Sequence, residues 1–212
     1  NTVAIANAGL LQGVLVWKST DGGNTFNRLI ADEFAYAPWD SKKLMLDTPY
    51  TADGTVDVLI DNDGKVHAFW GLGRVFDDDT TDESYSFFPG VQGIVHWKEG
   101  DTSGGTLIAS GAAFDRDGDD INGRVQATTA AKDENGAIPN GLSTVARLTN
   151  TSAMRQPSAG IDPNGDIFVS FSIPIESDLS DFDANYRDIG MVYSTDGGNT
   201  WAASQNVTQA LR

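Results

Sequence analysis

The sequence contains no cysteine and only two histidines, His67 and His96, in 212 residues. The absence of cysteine excludes disulfides, thiolate metal ligands and a cysteine nucleophile. Two histidines in the whole chain argue against a zinc site built from imidazoles. No run of apolar residues approaches the roughly 18–20 that a membrane-spanning helix needs, so the sequence predicts no membrane insertion.

Positive charge is also scarce. The chain has 14 lysines and arginines against 30 aspartates and glutamates, which gives a formal net charge of −16 at pH 7. A field of this sign repels phosphate backbones and anionic lipids, so we expect no nucleic-acid partner and no membrane-surface binding. The sequence opens on Asn1 without a basic and apolar signal segment. We therefore expect that any export signal has been removed or was never in this piece.

Turn-forming residues are what the sequence has in quantity. It contains 23 glycines, and Asp, Asn, Ser and Thr are plentiful, whereas strong helix formers never gather into a long periodic stretch. This composition is typical of short strands joined by many tight turns. The predicted fold class is therefore all-β.

Two segments are nearly identical, Ser19–Phe26 (STDGGNTF) and Ser194–Trp201 (STDGGNTW). The aspartate of each can accept backbone N–H bonds across a turn, and the glycines permit positive φ. We expect the final aromatic residue to plug into the core between neighbouring sheets. These are folding roles, so a structural turn is favoured over a binding site. The residues assigned to it are Ser19, Asp21, Gly23, Thr25, Phe26, Ser194, Asp196, Gly198, Thr200 and Trp201.

A degraded third copy follows Gly93–Lys98, a run that matches the strand before the first repeat. It keeps an aspartate, glycines and a threonine but lacks the serine and the aromatic residue. Two other segments, 56–70 and 158–171, each contain an Asn-Gly or Asp-Gly pair between apolar runs, which is a strong hairpin signal. The chain therefore repeats a unit made of a hairpin, a third strand, a turn of the repeated kind and an outer strand.

The pattern Ser-x-Asp-x-Gly-x-Thr-aromatic resembles the Asp-box of sialidases and related β-propellers. The resemblance implies a partial β-propeller of about three blades, each a four-stranded antiparallel sheet with Asp-box turns. Its parts would be a blade end at 1–30, a blade at 51–112, an inter-blade insertion at 113–152 and a blade at 153–205. Three blades cannot close a ring. Either the chain is part of a longer protein that supplies the remaining blades or partner copies complete the circle, and we expect the first, because a blade cut at both ends would leave open sheet edges.

The same resemblance implies candidates for catalysis. Sialidases carry an Arg-Ile-Pro motif, a hairpin, an acidic residue and then an Asp-box, and the sequence echoes this order from Arg155-Gln156-Pro157 onward. By resemblance, Arg155 would pair with a substrate carboxylate through its planar guanidinium, and Asp181 or Asp183 would be the acid/base. The sequence departs from the motif at Gln156, and no arginine ends the following hairpin. These departures weigh against catalysis by this chain.

Residues in the long loops are the candidates for ligand contact, because functional residues concentrate on loops held by a rigid scaffold. They are Arg74, Trp39, Tyr85, Phe87 and Tyr186. Arg74 ends the first of the two hairpins, where a sialidase would carry an arginine. The aromatic residues are explained equally well as hydrophobic lids over the blades.

A possible calcium site lies at Asp115, Asp117 and Asp119, whose carboxylates alternate along a short segment. Calcium prefers several oxygen ligands from one loop. The glycine stands at the fourth position, not the sixth that an EF-hand uses, and no glutamate follows at the twelfth. A solvated acidic turn is the competing interpretation, and it is the more common case.

The functional prediction is a non-catalytic module, secreted or displayed on a bacterial cell surface, that binds a glycan or a protein through loops on one face. The alternative is part of a sialidase-like glycoside hydrolase. The stretches Asp61–Trp70, Ser84–Gly90 and Val95–Glu99 resemble Asp-box propellers of secreted and surface proteins of bacteroidetes.

Overall fold

The computed structural model describes residues 1–88, 93–110, 152, 154–179 and 185–208, and every regular element among them is a β-strand. The strands are β1 (Val3–Gly9), β2 (Gly13–Ser19), β3 (Asn27–Glu33), β4 (Tyr50–Ile60), β5 (Val66–Phe76), β6 (Ser86–Phe88), β7 (Gly93–Lys98), β8 (Thr106–Ser110), β9 (Arg155–Ile161), β10 (Ile167–Leu179), β11 (Asn185–Ser194) and β12 (Gln205–Asn206). The all-β prediction is confirmed. The described part of the chain has no helix of the length and apolarity that a membrane crossing requires.

The strands form three antiparallel sheets. The first has the order β1-β2-β3, the second β4-β5-β7-β8 with β6 paired to β5, and the third β9-β10-β11-β12. In the first and third sheets strands that follow one another in the chain lie side by side, and the second sheet departs from this only at β6, since β6 and β7 both pair with β5. Such local pairing follows from the short turns that the glycine-rich sequence encodes.

The second sheet lies between the other two and is buried on both faces. In β5, Val66, Ala68 and Trp70 pack with the first sheet, whereas Phe69 packs with the third. Successive side chains of a strand point to opposite faces of the sheet. When both faces are covered, neither set of side chains is exposed to water, so the strand has a nearly continuous apolar sequence. This explains why β5 lacks the polar alternation of a half-exposed strand.

Two cores hold the three sheets together. The core between the first and second sheets contains Ala8, Val14, Val16, Ala31, Ala52, Val66, Ala68, Trp70, Val95 and Trp97. The core between the second and third sheets contains Phe69, Ile94, Ile108, Ala109, Met154, Ile167, Val169, Phe171, Ile173 and Val192. Polar contacts also join β4 to β9, because Asp57 Oδ2 accepts from Ala159 N at 2.7 Å and Thr55 Oγ1 accepts from Gln156 N at 3.2 Å.

The two copies of the repeated sequence fold into the same turn. In the first, Ser19 Oγ lies 2.7 Å from Asp21 Oδ1, and Asp21 accepts from the backbone and hydroxyl of Thr25 at 2.9 and 2.7 Å. The corresponding distances in the second turn, around Asp196, are 2.8, 2.9 and 2.6 Å. These bonds favour the ionised carboxylate: the Thr200 bonds and then the Ser194 bond lower the pKa of Asp196 to about 2.

The final aromatic residues of the two turns differ in their surroundings. Trp201 packs edge-on against Phe69 and His96 of the second sheet, with ring centroids 6.0 and 5.0 Å away. Phe26 is 40% exposed. Trp201 thus packs into the core between two sheets, as expected, whereas Phe26 does not. The difference arises because Trp201 contacts the sheet that precedes its own in the chain. Phe26 adjoins the first sheet, which has no preceding sheet among the described residues.

The degraded copy closes its turn in a different way. Asp101 Oδ2 accepts from Lys98 N, and Asp101 N donates to Lys98 O. The carboxylate thus reaches back to the preceding strand, whereas Asp21 and Asp196 reach forward to a threonine. Without the serine and the aromatic residue, the sequence supports only a tight hairpin here.

The hydrogen bonds of the second turn give a testable difference between two aspartates. We expect Asp196→Ala to lower the melting temperature more than Asp101→Ala, because Asp196 accepts from four groups of its turn and Asp101 accepts from one backbone N–H. Thermal unfolding followed by circular dichroism measures both. Equal losses would show that the second turn does not depend on its carboxylate.

Candidate functional site

The strand register separates the chemistry of the molecule into two ends. At one end lie the repeated turns and the hairpin turns at 61–65 and 162–166, since Ser19 pairs with Val3, Lys98 with His67 and Ser194 with Ile167. We call this the turn end. At the opposite end, Arg74 pairs with Tyr50, Arg155 with Ser172 and Arg187 with Pro174. We call this the arginine end.

Two arginines of the third sheet lie on either side of Ser172. Arg155 begins β9, and Arg187 lies in β11 on the other side of β10. Arg187 donates from Nε to Ser172 Oγ at 2.7 Å and from Nη2 to Ser172 O at 3.1 Å. Burial, together with the like charge of Arg155, lowers the pKa of Arg187 to about 10. The Arg187 guanidinium therefore stays positively charged at neutral pH.

A backbone irregularity positions Arg155. The pairing of β9 with β10 shifts between Ser170 and Ser172, and Gln156 has a left-handed φ of 55°. Bulges of this kind redirect a neighbouring side chain, and a non-glycine residue at positive φ is held there by its surroundings. Here the Gln156 N–H donates to Thr55 of the second sheet. The hydrogen bond between Gln156 of the third sheet and Thr55 of the second therefore fixes the backbone next to Arg155.

Arg74 is the corresponding cation of the second sheet. Its Nε donates to Thr48 O at 2.8 Å, and its guanidinium carbon lies 5.0 Å from the centre of the Tyr50 ring. The ring of Tyr50 is 58% exposed. Within the described residues, no hydrogen bond occupies the terminal amino groups of Arg74, which leaves its outer face for a ligand.

The aromatic candidates Trp39, Tyr85 and Phe87 belong to a small apolar cluster at the arginine end. Trp39 donates from Nε1 to Asp77 Oδ2 at 2.9 Å and meets the Tyr85 ring edge-on at 5.4 Å. Phe87 is only 7% exposed and lies close over Gly73. This geometry is that of a hydrophobic lid, the second of the two roles that the sequence left open. Tyr186, by contrast, is exposed beside Arg187.

The remaining predicted site residues lie outside the described residues. They are the acid/base candidates Asp181 and Asp183 and the metal candidates Asp115, Asp117 and Asp119. In the parts of the chain that the structure does describe, no group of three or more His, Asp or Glu is placed to hold a metal ion. The calcium site stays a prediction.

Sequence reasoning missed a pair of histidines at the turn end. His67 Nδ1 lies 2.9 Å from His96 Nε2, and His67 Nε2 lies 3.2 Å from Asp61 Oδ2. The rings stack at 5.1 Å. Burial, reinforced by the charge that His67 would carry, lowers the pKa of His96 to about 3. Burial also lowers the pKa of His67, against the opposing effect of Asp61.

Sequence reasoning also missed Arg187. The signal available was its position four residues after Asp183 and seven before Ser194, at the start of a strand. Its position at the start of a strand predicts that Arg187 lies at the same end of the sheet as Arg155. The position does not predict that Arg155 and Arg187 lie on either side of Ser172, because that depends on the register of β10 against β9 and β11.

Comparisons with known proteins give no family assignment. No protein-family profile matches the chain, and no curated protein matches it. A solved structure described as an unknown-function protein from Dyadobacter fermentans DSM 18053 is similar at 14% identity with a TM-score of 0.34, covering 92% of this chain and 38% of that one. A solved PL25 ulvan lyase, a polysaccharide lyase, is similar at 12% identity with a TM-score of 0.47, covering 100% and 42%. The chain thus spans about two fifths of the length of each.

Proposed function

We propose that this chain is part of an Asp-box β-propeller, secreted or displayed on a bacterial cell surface, whose arginine end recognises an acidic glycan without catalysing a reaction on it. The observation that carries the proposal is the juxtaposition of Arg155 and Arg187 around Ser172. The glycan class is one that bears carboxylate or sulfate groups.

The packing of the three sheets supports the propeller part of the proposal. Equivalent strands occur in the same order in each sheet, and β4 and β9 run in the same direction, as the Thr55–Gln156 and Asp57–Ala159 bonds require. Blades of a propeller stack face to face in this manner around a channel.

The outer faces of the first and third sheets support the presence of further blades. The first exposes Val3, Ile5 and Ile30, with Ile5 at 52%, and the third exposes Phe168, Ile189 and Val207, with Val207 at 48%. Contiguous exposed apolar groups mark surfaces that are normally covered. The second sheet, which has a neighbour on each face, shows what covers such surfaces in this molecule, namely another sheet.

The charge arrangement supports an anionic ligand. Arg155 and Arg187 concentrate positive charge at this end, and carboxylate or sulfate groups bind arginine through charge-assisted hydrogen bonds. Arginine matches such planar or trigonal anions better than lysine. Because the whole chain carries a charge of −16, long-range attraction is absent, and recognition depends on these short-range contacts. The exposed rings of Tyr50 and Tyr186 supply faces for the sugar rings.

Two described carboxylates at the arginine end, Asp53 and Asp188, are engaged in structural hydrogen bonds, which favours binding over catalysis by these two groups. Asp53 is buried and accepts from Ser152 N at 2.9 Å and from Thr55 N and Oγ1 at 2.8 and 2.6 Å. Asp188 is buried and accepts from Asn206 at 2.8 Å. A general acid or base must reach the substrate, and both groups are engaged in holding the backbone or a neighbouring side chain.

The second candidate function is part of a sialidase-like glycoside hydrolase. It is favoured by the same arginine pair, since a sialidase binds its substrate carboxylate through arginines. Turnover separates the two candidates. A fluorogenic sialoside that is hydrolysed by the chain, with the activity lost in Arg155→Ala, would establish the hydrolase and overturn the non-catalytic proposal.

The proposed binding is tested by affinity electrophoresis and titration calorimetry against a panel of neutral, carboxylated and sulfated polysaccharides. We expect at least one acidic member to bind and the neutral members to be inert at the arginine end. Arg187→Gln and Arg74→Gln should each weaken that binding about tenfold or more, the cost of a lost charged hydrogen bond.

The matched control for these variants is Arg28→Gln, which removes an exposed arginine of β3 near the turn end. It should bind as the parent chain does. Circular dichroism establishes whether each variant is folded. If Arg187→Gln fails to fold, Arg74→Gln still tests the binding site. If all three variants bound equally, or if no acidic glycan bound a folded parent chain, the proposal would be wrong.

A further inference from the structure

A cavity of about 290 Å³ opens at the turn end, between the second and third sheets. Its walls come from the end of β7, from the turn that follows it and from the second repeated turn. The side chains that give it chemical character are His96, Lys98, Asp101, Thr106, Asn199 and Trp201. The volume is at the lower end of the range, roughly 300 Å³ and above, that small-molecule sites occupy.

The cavity is held in shape by contacts between the two sheets. Lys98 Nζ donates to Gly197 O at 2.9 Å, which joins the end of β7 to the second repeated turn. Gly198 has a φ of 85°, and a Cβ there would lie 2.8 Å from Cε1 of His96. Glycine is therefore required for the turn to approach the imidazole. Trp201 closes one side, 5.0 Å from the His96 ring.

The hydrogen bonds of the histidine pair determine what His96 can offer a ligand. Asp61 Oδ2 accepts, so Nε2 of His67 carries a proton and Nδ1 of His67 is an acceptor. Nε2 of His96 then donates to that acceptor. The other ring nitrogen of His96, Nδ1, is left with a lone pair, and no described residue donates a hydrogen bond to it. The tautomer of His96, which lines the cavity, is therefore set by the chain of hydrogen bonds to His67 and Asp61.

We propose that this cavity binds a neutral sugar unit of about one pyranose ring. The lining residues supply a hydroxyl, an amide, an imidazole and an indole, which are groups that hydrogen-bond sugar hydroxyls and stack on the apolar face of a sugar ring. Lys98 and Asp101 carry opposite charges, so the cavity favours no net charge in its ligand. It lies at the opposite end of the strands from Arg155 and Arg187, and the proposal is independent of the acidic-glycan site.

The test is saturation-transfer-difference NMR with glucose, galactose, mannose and N-acetylglucosamine at millimolar concentrations. We expect a saturable signal from at least one of the four. Thr106→Val, which keeps the shape and removes the hydroxyl, should weaken binding about three- to tenfold. His96→Phe, which keeps the ring stacking and removes the acceptor, should weaken it by a similar factor.

Two control variants test whether the sugar binds in this cavity. Thr20→Val removes an exposed threonine of the first repeated turn and Arg28→Gln removes an exposed arginine of β3, both outside the cavity, so both variants should bind sugar as the parent chain does. The proposal is overturned if none of the four sugars gives a saturable signal with the folded chain. It is equally overturned if Thr106→Val and His96→Phe both leave binding unchanged.

Discussion

Replacing Trp201 by alanine is expected to lower the free energy of unfolding by roughly 3 kcal/mol, the lower part of the range for deleting a large aromatic side chain, because the indole is half-buried. The loss arises where the second repeated turn contacts Phe69 and His96 of the neighbouring sheet. Urea unfolding monitored by circular dichroism measures it, with the slope of the transition checked for constancy.

The chain offers two matched controls for this prediction. Phe26→Ala changes the same position of the first repeated turn, and its cost should be under about 1 kcal/mol because that residue is 40% exposed and lies at the surface. Trp201→Phe keeps the aromatic contact and removes an indole N–H that is buried without a partner among the described residues, so it should be close to neutral. Equal costs for Trp201→Ala and Phe26→Ala would contradict the asymmetric packing of the two turns.

Acid is expected to destabilise the chain through its two buried histidines. His96 has a pKa of about 3 in the folded chain against about 6.5 when unfolded. Below pH 6.5 the unfolded chain therefore binds a proton that the folded chain does not, and the free energy of unfolding falls as the pH is lowered toward 3. Between pH 6.5 and pH 4.5 the fall should be roughly 2–3 kcal/mol. The lowered pKa of His67 acts in the same direction.

His96→Gln isolates this effect. A glutamine amide can donate to Nδ1 of His67 in place of the imidazole and has no proton to gain, so the variant should lose stability less steeply over the same pH range. The repeated-turn aspartates do not interfere, because the pKa of Asp196 is about 2 and its contribution is lost only at lower pH. Urea midpoints at several pH values measure the slopes. Parallel slopes in the parent chain and the variant would contradict the prediction.

Local structure was predictable from sequence wherever the signal was local. The Asp-Gly and Asn-Gly pairs at 63–64 and 164–165 do lie in tight turns, with Gly64 and Gly165 at positive φ. The hydrogen bonds of the repeated turns follow from residue types within eight positions. Turn chemistry of this kind needs no knowledge of distant residues, and it also makes the all-β class predictable.

Contacts between sheets were not predictable in the same way. The repeats differ by Phe26 and Trp201, both aromatic, yet only the second has a neighbouring sheet among the described residues to pack against. The arrangement of the candidate site was likewise not predictable from the sequence. A motif resemblance singled out Arg155, whereas the pairing with Arg187 depends on a bulge at Gln156 and on strand register. His67 and His96 meet because β5 and β7 are adjacent, which sequence spacing alone does not reveal.

Hydrogen–deuterium exchange with and without a bound acidic glycan tests the proposal that the arginine end is the recognition face. We expect slower exchange in the backbone around Arg155, Ser172 and Arg187 when the glycan is present, and unchanged exchange in both repeated turns. Protection confined to the turn end, around residues 98–106 and 194–201, would contradict it.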